Sequence, residues 1–170
     1  MPTTYTLIQT VTVTSGTPNT ILFSSIPQTY DDLLIKMSMR TNEAGAYYSD
    51  TDITFNSEST RRWNGMYQVN NTVAGSASNG FNIIGASTAA LVSANIFSNN
   101  DIYIPDYKSS NDKAVGSTGV QEMETAGNAG VNCMSNRVVN GTAITSIELD
   151  PFNGTLELYS SASLYGISKA

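Results

Sequence analysis

The residues of this chain with most scope for chemistry are its carboxylates, and several come in close pairs: Asp31-Asp32, Asp50 with Asp52, and Glu122 with Glu124. Two carboxyl groups can cleave a glycosidic bond when a groove holds them about 5–10 Å apart. Sequence spacing supplies neither the groove nor the separation. Asp50 and Asp52 stand where a loop meets a strand, so we read them as a solvated turn. Asp101, Asp106 and Asp112 leave a calcium site open, although three spaced acids do not make a calcium-binding loop. The chain has no histidine, which removes the usual general base and the usual zinc ligand together. It has no phosphate-cradling glycine loop and no cysteine pair. The lone Cys133 reads as a small buried apolar residue. Only carboxylate or single-thiol chemistry is left, so the expectation is a protein without catalysis, cofactor or resident metal.

A second cluster points to binding. Tyr47, Tyr48, Arg61, Arg62 and Trp63 form the densest group of aromatic and arginine residues in the chain. Such residues are enriched at interface centres, and they also build sugar platforms. The plainer reading puts Trp63 in the core with Tyr47, Tyr48 and Tyr67 rimming a sheet.

The elements that would position these groups are short strands. Ser, Thr, Asn and Gly number 21, 20, 17 and 13, so 71 of the 170 residues. That composition suits strands joined by turns and suits long helices poorly. Residues 5–13 and 20–24 alternate apolar and polar side chains about the turn cluster 15–19, and read as a hairpin. Residues 33–40 are the cleanest strand, with Leu33, Ile35, Met37 and Met39 on one face. Residues 41–51 and 69–80 read as loops, and 86–94 admits one helical turn. Further strands are expected at 52–56, 81–84, 95–106, 113–125 and 131–139. The stretch 142–170 gives three more runs, at Ile144 to Leu149, Leu156 to Leu158, and Leu164 to Ile167, with Asn153-Gly154 as a turn signal. The last run is read as a paired core strand, because a terminus frays unless a sheet holds it. Nine to eleven strands with frequent turns and no repeat make a single all-β domain over residues 1–170, an antiparallel sandwich or a barrel.

Net charge is −6, which argues against nucleic acid and against an anionic membrane. No apolar run approaches the ~20 residues that span a bilayer. Residues 1–5 carry no signal-peptide pattern, and one cysteine suits a reducing cytoplasm.

Four segments carry a resemblance: Ser25-Ile26-Pro27-Gln28-Thr29-Tyr30-Asp31-Asp32-Leu33, Ile102-Tyr103-Ile104-Pro105-Asp106-Tyr107, Ala143-Ile144-Thr145-Ser146-Ile147 and Ser163-Leu164-Tyr165-Gly166-Ile167. In this order they resemble small virion structural proteins of tailed bacteriophages. The resemblance implies a jelly-roll-like sandwich that works by assembly. A capsid decoration (cement) protein is the first expectation: a homotrimer, made in the host cytoplasm, that binds the major capsid protein on the head exterior. The competing expectation is a receptor- or carbohydrate-binding sandwich of a tail fibre. The chain begins at Met1 and ends on a core strand, with no stalk or anchor segment, which favours the stand-alone subunit. The resemblance supplies no catalytic residues.

Overall fold

The computed structural model describes residues 4–16, 18–58, 61–69, 72–78, 82–124, 129–138 and 141–168, with the backbone alone at Arg61, Trp63, Val69, Thr72, Ser78 and Val138. Among the described residues there are twelve strands and no helix. In chain order they are β1 (Tyr5–Thr12), β2 (Ile21–Phe23), β3 (Asp32–Ser38), β4 (Tyr48–Phe55), β5 (Arg61–Val69), β6 (Thr72–Ser78), β7 (Ile83–Thr88), β8 (Asn99–Ile104), β9 (Lys113–Glu122), β10 (Ala129–Val138), β11 (Ile147–Pro151) and β12 (Ser161–Ile167).

These strands make two antiparallel sheets packed as a β-sandwich. The larger runs β1-β12-β3-β8-β9-β10-β5-β6 and the smaller β2-β11-β4-β7. A jelly roll divides eight strands as two Greek keys. Here the division is eight and four, so the jelly-roll order is not carried forward.

Alternation places the core. Leu33, Ile35 and Met37 of β3, Ile102 and Ile104 of β8, and Ala162 and Leu164 of β12 face Ile21, Phe23, Ile53, Phe55, Ile147 and Leu149 of the small sheet. Burial of such side chains contributes ~1.5–3 kcal/mol each. The last strand is a paired core strand, as its pattern requires: β12 lies between β1 and β3, with Tyr165 opposite both Leu7 and Leu34.

Several expectations need correction. The hairpin between 5–13 and 20–24 does not form, because β1 pairs with β12 while β2 pairs with β11 in the other sheet. Within 69–80, expected as a loop, Thr72–Ser78 form β6 and pair with β5, while residues 70, 71, 79 and 80 lie outside the described residues. The small, polar side chains of β6 lack an apolar alternation because β6 is an edge strand. Residues 48–51 belong to β4, and Ala86 to Thr88 continue β7 in place of a helical turn. Leu158 is exposed, and Leu156 makes only a single bridge, to Thr41.

The far end of the large sheet turns round the β7 edge of the small one, with β8, β9 and β10 all packing on β7. This contact is largely polar. Asn100, Ser117, Gln121, Asn132 and Asn136 are buried on the inner face of the large sheet, and Asn100 and Asn136 donate to the Ala86 and Ile83 carbonyls of β7. β4 is consequently buried on both faces, Ile53 and Phe55 on one and Asp52 and Thr54 on the other.

Candidate functional site

Where β5 and β6 overhang β4 and β7, a cleft of about 140 Å³ opens. A cavity of ~150 Å³ holds a benzene-sized group. Tyr48 and Asp50 of β4 line one wall, Ile83 and Ala86 of β7 a second, and Tyr67, Ser76, Gln121, Asn132 and Met134 of the large sheet the rest. Alternation explains the wall on β4. Ile53 and Phe55 face the core, so Tyr48, Asp50 and Asp52 face the other way. The large sheet then folds over that second face.

The floor is a directional chain of amides. Asn100, Gly119, Asn132 and Tyr67 sit opposite one another across four adjacent strands. Asn100 Nδ2 donates to the Ala86 carbonyl at 3.1 Å and to Ser98 Oγ at 3.3 Å. A carbonyl only accepts, so the Asn100 amide is oriented with Oδ1 as its acceptor. Asn132 Nδ2 donates to that Oδ1 at 3.3 Å and to Gln121 Oε1 at 3.2 Å. Asn132 Oδ1 is therefore an acceptor too, and it is buried with no partner. Glycines make the room: a Cβ on Gly119 would lie 1.8 Å from Asn100 Oδ1, and one on Gly130 would lie 2.1 Å from Gln121 Nε2.

Electrostatically the cleft is negative. Burial, and then the charge of Glu43, push the Asp50 carboxyl above the usual carboxylate range. Burial first, then Asp50, Tyr67 and Glu43, push the Tyr48 phenol up. Glu43 Oε2 is buried and unpartnered. The described ion pairs lie elsewhere: Lys36–Asp101, Arg40–Glu157, Lys108–Asp31 and Arg137–Asp112. The cleft thus offers two tyrosine side chains and the Asp50 carboxylate to a donor-bearing group.

The sequence-derived residues are distributed as follows. Tyr48 lines the cleft, while Tyr47 is half-buried just before β4. Arg62 is exposed on β5, five residues from Tyr67 and so on the opposite face of the sheet. The side chains of Arg61 and Trp63 lie outside the described residues. Asp50 and Asp52 are not a solvated turn: both are in β4, and Asp52 is buried, accepting from the Asn82 N–H at 2.7 Å. Cys133 is not buried but exposed, because it alternates with the buried Asn132 and Met134. Asp101 pairs with Lys36 and Asp112 with Arg137, and no acidic group able to hold a metal forms among the described residues. Gln121 and Asn132 went unseen in the sequence. Their only signal is the alternation Gly119, Gln121 and Gly130, Asn132.

The outer face of the large sheet is the other unusual surface. Leu7, Tyr165, Leu34 and Tyr103 form one apolar row across β1, β12, β3 and β8. Val120 and Val131 are paired on β9 and β10, and Met66 stands opposite Cys133. Leu7, Tyr103, Val120, Val131 and Met66 are all exposed. Lys36 and Asp101 neutralise each other within this face at 2.8 Å.

No family model, no curated protein and no solved structure matches this chain.

Proposed function

We propose that this chain is a virion structural subunit of a tailed bacteriophage, a decoration protein that works by assembly and not by catalysis. One observation carries the reading: the exposed apolar and aromatic side chains on the outer face of the eight-stranded sheet. Eight strands at ~4.8 Å spacing and five or six residues of each make a face of roughly 34 by 18 Å. That is about 600 Å², against the ~800 Å² per partner of a standard interface. Exposed tyrosines, a methionine and aliphatic side chains, here Tyr5, Tyr103, Met66, Val120 and Val131, include the types enriched at interface centres. The sequence resemblance supplies the partner, a phage capsid lattice, and threefold lattice positions suit a trimeric subunit.

Co-sedimentation with undecorated heads tests this. The wild-type chain is expected to pellet with heads, and Val131→Asp to lose pelleting while keeping the wild-type circular dichroism spectrum. Light scattering of the free protein reads the trimer. A wild-type chain that stays in the supernatant overturns the decoration role. A Val131→Asp chain that pellets like wild type removes the sheet face from it.

The receptor- or carbohydrate-binding reading draws on a different observation, the two tyrosines and the acceptors of the cleft. Saturable binding of a hexose there would favour it.

A further inference from the structure

The cleft at Tyr48, Asp50 and Tyr67 makes a narrower statement than assembly alone. Its polar lining includes one carboxylate, that of Asp50, beside the Tyr48, Tyr67 and Ser76 hydroxyls and the Gln121 and Asn132 amides. The amide chain from Ala86 through Asn100 holds Asn132 Oδ1 as an acceptor without a partner, on a side chain only 2% exposed. Glu43 lies close enough to raise the Asp50 carboxyl further, after burial, and no described cation pairs with either. Two half-buried tyrosine rings stand over this arrangement. Ring faces are themselves negative and attract cations.

We propose that this cleft receives the guanidinium or ammonium head of an arginine or lysine side chain from a protein partner. A planar guanidinium carries five donors in a fixed fork and stacks on aromatic faces. It would place donors on the Asp50 carboxylate, with its plane against Tyr48 or Tyr67. The 140 Å³ of the cleft admits one such head and no folded element, so the contact is a single side-chain insertion. A neutral sugar also brings donors, but it leaves the repulsion between Asp50 and Glu43 uncompensated. A cation removes it. The partner's being a protein rests on the assembly reading above; the cation chemistry of the cleft does not.

The test is a calorimetric titration of the full chain with N-acetyl-L-argininamide and its uncharged isostere, N-acetyl-L-citrullinamide, with glucose and galactose as neutral rings. The arginine compound is expected to bind saturably and at least about tenfold more tightly than the citrulline compound, a factor worth 1.4 kcal/mol. Asp50→Asn, nearly isosteric, is expected to cost about tenfold or more. Glu43→Gln should cost less, because it acts from further away. Tyr67→Leu serves as a second wall variant, and circular dichroism checks each fold. Equal binding of the citrulline compound, no saturable binding of the arginine compound, unchanged binding by Asp50→Asn, or tighter binding of a hexose would each overturn the proposal. Head co-sedimentation is read separately, so a chain that binds the arginine compound but ignores heads loses only the assembly reading.

Discussion

Tyr103 donates its hydroxyl to Asp32 Oδ2 at 2.6 Å, while Asp32 Oδ1 accepts the backbone N–H of Asp106 at 2.9 Å. The carboxylate at the start of β3 thereby ties down both β8 and the turn that follows it. The hydrogen bond to Asp32, then burial, push the Tyr103 phenol up to about 12. The folded chain favours the neutral phenol. Its contribution is therefore complete below pH ~10, the unfolded value, and is lost as pH rises towards 12. Ultraviolet titration of phenolate should show Tyr103 among the late-ionising tyrosines, with Tyr48 and Tyr107, whose phenols burial also raises. Tyr103→Phe should remove one late step and flatten the loss of melting temperature between pH 10 and 12.

Arg40 gives a larger effect. Its guanidinium is buried and donates to the carbonyls of Val92 at 2.8 Å, Ser93 at 3.0 Å and Ile96 at 3.3 Å, and to Glu157 Oε2 at 3.2 Å. One side chain thus caps the loop between β7 and β8. Arg40→Met leaves three carbonyls without their donor and should cost about 3–5 kcal/mol in a urea titration. Arg40→Lys should recover only part of this, because an ammonium cannot span the same fork.

Asp50 should show the opposite sign. Its carboxyl is raised by burial and by Glu43, so above that raised value the folded chain holds an ionised group in an unfavourable place. Stability falls as pH climbs from the unfolded value through the folded one. Asp50→Asn should accordingly melt higher than wild type at pH 7 and lose that advantage in acid. A lower melting temperature at pH 7 would contradict the electrostatic account of the cleft.

Gly119→Ala probes the amide chain. The new Cβ would fall within 1.8 Å of Asn100 Oδ1 and 3.0 Å of the Asn99 carbonyl. Asn100 must then give up its bonds to Ala86 and Asn132, at ~1–3 kcal/mol. Gly116→Ala is the control, since its Cβ would meet nothing within 4 Å.

The sequence was legible where one face of a strand is apolar and the other wet. Leu33, Ile35 and Met37, and Ala162 and Leu164, alternate cleanly because their sheet separates core from solvent. Legibility failed where the buried face is polar. Asp52 and Thr54 look like surface residues in the sequence, but the folded-over end of the large sheet covers them. Pairing was also hidden. Nothing local joins Leu7 to Tyr165, so a neighbouring hairpin was the natural but wrong inference for β1. In the site, Tyr48 stood out by its type. Asn132 did not, since a buried amide differs from a surface one only in what lies opposite it.

The place of β12 between β1 and β3 has a consequence for biosynthesis. Tyr5 pairs with Ile167, and Leu33 pairs with Gly166. At a translation rate of ~5–20 residues per second, β1 leaves the ribosome roughly 8–30 s before its partner. Throughout that interval one border of β3 and the whole ladder of β1 are open to other chains. Polysomes would hold many such half-built sheets side by side, and this sheet can close only once β12 has been made.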